Sequence, residues 1–382
     1  MRVAVIGAGV VGTAVAAGLA RRGAEVVLLD RDVPGAGTTA TSVAWINANN
    51  KDPEHYFALN HAAVRAHHAL AGGGADWFFP TGNLECAAGD EHRAMLAERV
   101  ARLEARGYPV RRVTAAEARD LEPDLLHPAA AEYAYFPEEA HAHPIRLLGR
   151  FLGEARDRGA RVETGAEVRG IASSPGGVTL ALADGRTLTA DTAATCAGRW
   201  TQELAASAGL TVPMLDPRVS GRATNGYLGV TTAVPARLSR VVTTGRLNLR
   251  PDGAGRIQLQ ALDLDGTADP AAEPAPAIGA EMLGRLAGVL ASTSGARIEQ
   301  VRVGQRAMPA DGLTVAGFAD EHARIYVVAT HSGVTLSALL YGEVPAEVLG
   351  GESAVLGPYR PGRFLDGSAG PAPAPARRPG EQ

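Results

Sequence analysis

Residues 1–30, MRVAVIGAGVVGTAVAAGLARRGAEVVLLD, read as strand, glycine turn, helix, strand and terminal acid, and that reading decides the fold. Arg2–Ile6 is a short apolar run rich in valine and isoleucine, and Gly7-Ala8-Gly9-Val10-Val11-Gly12 follows it directly. In a GxGxxG between a strand and a helix, Gly7 permits the tight turn and Gly9 lets backbone approach a pyrophosphate. Gly12 lets the helix, expected over 13–22, pack closely on the strand. Val11 is part of the same turn. Unpaired N–H groups and the positive dipole end of the helix favour an anion there without a basic side chain. Gly23 closes the helix and Glu25–Leu29 forms a second strand. Asp30 stands eighteen residues after Gly12, where an acid accepts hydrogen bonds from ribose hydroxyls and favours an unphosphorylated adenosine ribose.

Working outward, the apolar run 10–19 behind Arg2 has some likeness to a secretory signal, but the second strand and Asp30 fit a βαβ unit better, and no export signal is expected. With 382 residues, the chain is long enough for two structural units. A net charge of −4 with mixed signs and no long basic run points away from nucleic acid and anionic membranes. No apolar run reaches bilayer-spanning length. The two cysteines, Cys86 and Cys196, make neither a disulfide framework nor a zinc pattern, and suit a reducing cytoplasm. Lys51 is the single lysine in an arginine-rich chain.

Beyond Asp30, Arg31 leads into a small-residue loop whose hydroxyls, Thr41 and Ser42 among them, suit a phosphate or a ring. Helices are expected over 54–70, 91–106 and 115–121. A βαβ pattern returns from Pro144, with a helix over 145–158 and a hairpin turning at Asp184-Gly185. A small-residue strand ends at Gly198, before Trp200 and a helix to about Ala208. Residues 215–264 are strand-rich, with Asp-Gly turns, and predict an antiparallel sheet in a different layer from the nucleotide part. A helix over 280–290, strands at 297–306 and 325–330, and a helix over 334–348 follow a glycine turn or loop in each case. There is no internal repeat.

Three separated motifs share one resemblance: residues 7–30; Ala194-Thr195-Cys196-Ala197-Gly198-Arg199-Trp200; and Gly304-Gln305-Arg306 with Asp311-Gly312 and Ala329-Thr330-His331-Ser332-Gly333-Val334-Thr335. They resemble the FAD-dependent amino acid oxidases and dehydrogenases of the D-amino acid oxidase, glycine oxidase and sarcosine oxidase group, over the chain up to about Phe364. The resemblance implies an α/β protein: a discontinuous Rossmann-like FAD-binding domain over 1–45, 140–212 and 297–364. Interleaved with it is an α+β substrate domain on a mainly antiparallel sheet over 46–139 and 213–296, and residues 365–382 are a disordered Pro/Ala-rich tail. It places FAD against Gly7, Gly9, Val11, Gly12, Asp30, Arg31, Thr41, Ser42, Ala197, Gly198, Trp200 and Gly304, with adenine on the Val168 backbone. The helix opening at Gly333-Val334-Thr335-Leu336 would stabilise negative charge near flavin N1 and the C2 carbonyl. Neither cysteine falls at 304–309, so the FAD is expected to be non-covalent.

The implied substrate is a small amine or amino acid. Arg306, in the matching Gly-x-Arg segment, is the candidate carboxylate clamp, because a guanidinium fork suits a carboxylate bidentately. Arg250 and Arg222 are weaker candidates, and His331 is placed beside the flavin-facing turn or serves as a structural histidine. Hydride transfer from the α-carbon to flavin N5 needs clamping and orientation more than acid–base groups. Sarcosine oxidase-like enzymes place a lysine of the middle sheet near N5 to help oxygen, and this chain has none there. Either Lys51, with Asn49 beside it, reaches the flavin by another route, or another electron acceptor takes the place of oxygen, and a surface lysine at a helix entry is the further alternative. His141 and His143 beside Glu138 and Glu139 invite a metal reading, but no further ligands are spaced to close a site and no metal is expected. Two other classes share the first motif: an NAD(P)H-dependent flavin monooxygenase, whose late Gly-Asp motif is replaced here by Thr330-His331-Ser332-Gly333, and a non-catalytic FAD-binding subunit.

Overall fold

The structure, a computed structural model, describes residues 1–128 and 130–374. The chain divides into two units: Met1–Ser42, Pro144–Pro217 and Arg306–Pro373 form the first, and Val43–His143 with Arg218–Gln305 the second. Both are discontinuous in sequence, so each is joined by pairing between distant strands.

In the first unit Arg2–Ile6 is the middle of a six-stranded sheet, paired in parallel with Glu25–Leu29 on one side and Thr192–Thr195 on the other. Arg161–Glu163 extends one flank and Ile325–Ala329 the other, both parallel, and Val315–Phe318 closes that edge antiparallel. The inner strands are apolar almost throughout, as strands covered on both faces must be. Ala4, Ile6, Val27 and Leu29 face a core shared with Ile171, Val178 and Leu180 of a small antiparallel sheet. That sheet consists of Val168–Ser174, Gly177–Leu182 and Thr187–Ala190, and its turn is the expected Asp184-Gly185 hairpin. The intervening residues Val3, Val5, Val26 and Leu28 are equally buried, on the side of the helix Val10–Arg21. That helix packs in turn on Pro144–Asp157 and Gly333–Val348.

The second unit is built on an eight-stranded sheet. Its order is Ile298–Gln305, Asn225–Thr231, Ile257–Gln260, Asn248–Pro251, Val241–Thr244, Asn83–Ala87, Glu132–Phe136 and Arg111–Val113. All neighbours are antiparallel except Val241–Thr244 with Asn83–Ala87. One face is apolar: Leu84, Cys86, Tyr133, Val242, Leu249 and Leu259 pack with Met282 and Leu286 of the helix Pro276–Ala287. Register puts a second row on the other face, with Thr243 opposite both Glu85 and Asn248, Asn248 opposite Gln260, and Arg250 opposite Gln258. All six are polar or charged, and none is more than 8% exposed.

Ile298–Gln305 corrects one expected boundary. Its seven register positions against Asn225–Thr231 place it in the second unit, and the nucleotide unit resumes at Arg306 instead of 297. Within the expected tail 365–382, the Ala369 N–H donates to the Arg363 carbonyl, and Pro373 approaches Gly312. Residues 375–382 lie outside the described residues. Among the described residues no helix is long and apolar enough to cross a membrane.

Candidate functional site

Gly7 follows the first strand with φ +103°, and its N–H donates to the Leu29 carbonyl at 2.8 Å. A Cβ on Gly7 would sit 2.4 Å from the Cys196 carbonyl oxygen, and one on Gly12 only 1.8 Å from the Gly7 oxygen. Turn, helix and neighbouring strand therefore approach more closely than any side chain allows. The helix begins at Val10, three residues before the expected start, so the last three residues of GxGxxG, Val10, Val11 and Gly12, lie in its first turn. No residue of its own caps it. Instead the Val10 N–H donates to Thr39 Oγ1, 3.1 Å away in the hydroxyl-rich loop. Asp30 is braced against the same turn: Oδ2 accepts the Ala8 N–H at 2.6 Å and Oδ1 the Asp32 N–H at 2.9 Å.

A cavity of about 410 Å³ opens on this turn. Gly7, Gly9, Val11, Asp30, Arg31 and Ser42 line it together with Val168, Ala197, Gly198, Trp200, His331, Gly333 and Val334. It thus joins the first glycine turn to the start of the helix Gly333–Val348, so two helix N-termini open on one space. Gly12 lies beneath the turn. Thr41 sits in a 3-10 turn and donates to the Thr38 carbonyl at 3.4 Å, while Thr335 and Leu336 are buried one step into the late helix. Gly304 is a strand residue opposite Gly226 in the sheet of the second unit and is not among the residues that line this cavity. Thr39, Cys196 and Arg199 also line the cavity and were not singled out from sequence. For Thr39 the signal was present, since a hydroxyl-rich loop beside an uncapped helix start is a natural source of its cap.

The residues proposed near the chemistry are distributed over both units. Arg306 is half-buried and opens the last stretch of the first unit. Asn49 belongs to the second unit, where its backbone N–H and Nδ2 both donate to Glu139 at 3.1 Å. Glu139 is fully buried and also accepts from Trp45 Nε1, the Ala48 N–H and the Tyr108 hydroxyl, at 2.9, 3.3 and 2.9 Å. Burial pushes this carboxyl up to about 7, against the pull of its donors. Asn49 is thereby held in a buried polar network. Lys51 is 5% exposed, which corrects the surface reading of that lysine.

Around the His-Ala-His segment, Glu138, Glu139 and His141 take separate partners. Glu138 pairs with His61 Nε2 at 3.1 Å, and His141 stacks on Phe79 with ring centroids 4.8 Å apart. Burial, and then the nearby Arg250 guanidinium, lower His141 to about 3, so the ring is neutral. Arg250 donates from Nε to the Val43 carbonyl at 2.5 Å and from Nη1 to the Pro251 carbonyl and Asp252 at 2.7 and 3.1 Å. Those bonds hold the backbone around it. Arg222 is exposed.

Comparison with known proteins follows this geometry. A family model described as FAD dependent oxidoreductase (DAO) matches residues 2–346. Glycine oxidase of Geobacillus kaustophilus (strain HTA426) is 25% identical over 347 residues, covering 88% of this chain and 90% of the relative. A crystal structure of glycine oxidase from that species superposes with a TM-score of 0.81 at 24% identity, over 94% of this chain and 98% of the other. L-proline dehydrogenase from P. horikoshii gives a TM-score of 0.82 at 19% identity, over 96% and 98% of the two chains. Iminodiacetate oxidase (IdaA) from Chelativorans sp. BNC1 gives 0.80 at 23%, over 94% and 99%.

Proposed function

Because the chain belongs to the DAO family of FAD-dependent oxidoreductases, it is a flavoenzyme using FAD, and we propose that it oxidises the C–N bond of a small amino acid or N-substituted amine carrying a carboxylate. The cavity fits a dinucleotide on its own terms. Its glycine turn excludes side chains where a diphosphate would approach, Asp30 is fixed against that turn, and a second helix N-terminus opens on the same space. That cradle of two helix N-termini and a braced acid is the observation that carries the reading. When bound, FAD would supply the two-electron acceptor for a hydride leaving the substrate α-carbon.

The chain's own residues hold and orient. The N–H groups opening Gly333–Val348 favour negative charge at their end of the cavity, and half-buried His331 stands beside them. Arg306 is assigned the substrate carboxylate, for which its planar fork is suited. The second unit is assigned to substrate binding, since its sheet carries a buried polar face that an apolar core would not require. Cys196 lines the cavity, and burial pushes its thiol up to about 12, so it stays protonated, in keeping with the expectation of a non-covalent cofactor. Two buried, unpaired cysteines accord with a cytoplasmic setting.

The test is anaerobic titration of the FAD-loaded protein with D- and L-amino acids, N-methyl amino acids and cyclic imino acids. Bleaching of the flavin absorbance by one of these classes alone is expected. Bleaching by a nicotinamide and by none of them refutes the substrate class.

A further inference from the structure

Two guanidinium groups stack on one indole in the wall of the dinucleotide cavity. Arg31 Cζ and Arg199 Cζ each lie 3.8 Å from the Trp200 ring centroid. Two groups that close to one ring cannot share a face, so the indole stands between them. Arg31 follows Asp30 at the end of the second strand, and Arg199 and Trp200 belong to the 3-10 turn Gly198–Trp200. All three line the cavity. Trp200 also packs over the loop, since a Cβ on Gly37 would be 3.6 Å from its Cζ3.

Several other arginines of this unit pair with carboxylates: Arg363 with Asp311, Arg360 with Glu347 and Arg150 with Glu154. Among the described residues Arg31 and Arg199 have no carboxylate partner, and the one hydrogen bond of the Arg199 side chain runs from Nη1 to Thr38 Oγ1 at 3.3 Å. Arg31 is exposed and Arg199 half-buried. Burial, and then repulsion from Arg31, lower Arg199 to about 10, which leaves it charged at neutral pH.

Location points to the anion that such a pair suits. Thr38 adjoins Thr39, whose hydroxyl accepts the first N–H of the helix Val10–Arg21. Arg199 therefore reaches the loop that covers the positive helix end, where a dinucleotide carries its diphosphate. A guanidinium stacked on an aromatic face keeps its N–H edge available for a bidentate phosphate contact. We propose that Arg199, held flat on Trp200 opposite Arg31, is a positioning residue that clamps the diphosphate of FAD. The inference rests on the FAD reading and adds to it a charge-dependent lock outside the GxGxxG turn.

The experiment uses full-length protein stripped of flavin and titrated with FAD, ADP and adenosine at low and high NaCl. Arg199→Met is expected to raise Kd for FAD and ADP about 10- to 100-fold, with a shallower salt dependence, and to leave adenosine unchanged. Arg199→Lys, keeping the charge without the fork, is expected to fall between. In the wild type, inorganic pyrophosphate competes with FAD and shifts tryptophan emission, and the shift is missing in Trp200→Phe. This arm holds even where a variant does not fold. Wild-type affinity of Arg199→Met for FAD and ADP, equal losses for ADP and adenosine, or pyrophosphate without effect on the wild type each overturn the clamp. A wild-type apoprotein that takes up no FAD overturns the flavin reading and the clamp together.

Discussion

The Asp30 carboxylate accepts the backbone N–H of Ala8 at 2.6 Å. The acid closing the second strand and the glycine turn closing the first are therefore one hydrogen-bonded unit, and Asp30 shapes the cavity before it touches any ribose. Asp30→Ala removes this bond and the one from the Asp32 N–H together. The variant is expected to lose about 1–3 kcal/mol of apoprotein stability and to bind FAD about tenfold or more weakly. Asp30→Asn is expected to recover only part of this, because its amide group can accept on one side alone. Thermal unfolding of the apoprotein checks the brace separately from the ribose contact, and an unchanged melting temperature in Asp30→Ala counts against it.

Gly12→Ala probes the other side of the turn. The added Cβ would lie 1.8 Å from the Gly7 oxygen, so backbone must move. Overpacking of this kind costs about 1–3 kcal/mol or more, and here the displaced atoms belong to the diphosphate turn. The variant is expected to purify with much less flavin absorbance per chain than the wild type. Full flavin content would show that the turn relaxes without consequence.

Local signals made much of this legible. Strand Arg2–Ile6, its glycine turn and Asp30 lie in one short stretch, and the Asp184-Gly185 hairpin pairs neighbours in sequence. The start of the helix was read three residues late because Gly12, a poor helix former, sits in the first turn. What stayed hidden depended on distant partners. A strand such as Ile298–Gln305 carries no mark of which sheet it joins, and its partner Asn225–Thr231 lies far upstream. Glu139 beside His141 and His143 suggested metal ligands because sequence proximity was the only distance available, yet the carboxylate is committed to Trp45, Asn49 and Tyr108. The stack on Trp200 joins side chains that follow Glu25–Leu29 and Thr192–Thr195, strands brought to either side of Arg2–Ile6 only in the folded sheet.

His141 gives a pH prediction with a defined sign. Its folded pKa is lowered from 6.5 to about 3, so the folded state refuses a proton that the unfolded chain takes up below 6.5. Stability is thus intact above about pH 6.5 and is lost as pH falls toward 3, by about 2 kcal/mol from this group at pH 5. His141→Phe keeps a ring against Phe79 and removes the titration. Urea unfolding near neutral pH and at about pH 5 should show the wild type losing about 2 kcal/mol more than the variant. Equal losses would mean that His141 is not held neutral.

Arg306 and Arg250 separate a substrate contact from a structural one. Arg250 is 5% exposed, and its Nε and Nη1 are committed to the Val43 and Pro251 carbonyls and to Asp252, so Arg250→Ala leaves part-buried acceptors without these donors. That change is expected to lower the melting temperature by several degrees. Arg306 is half-buried, opens its stretch of the first unit, and is assigned the substrate carboxylate. Losing a charge-assisted bidentate contact costs about 1.5–3 kcal/mol, so Arg306→Ala is expected to raise KM about 10- to 100-fold with flavin content and melting temperature unchanged. A substrate analogue without the carboxylate should bind the wild type and Arg306→Ala equally. If Arg306→Ala instead unfolds earlier and leaves KM alone, the clamp lies elsewhere and Arg306 is a structural residue.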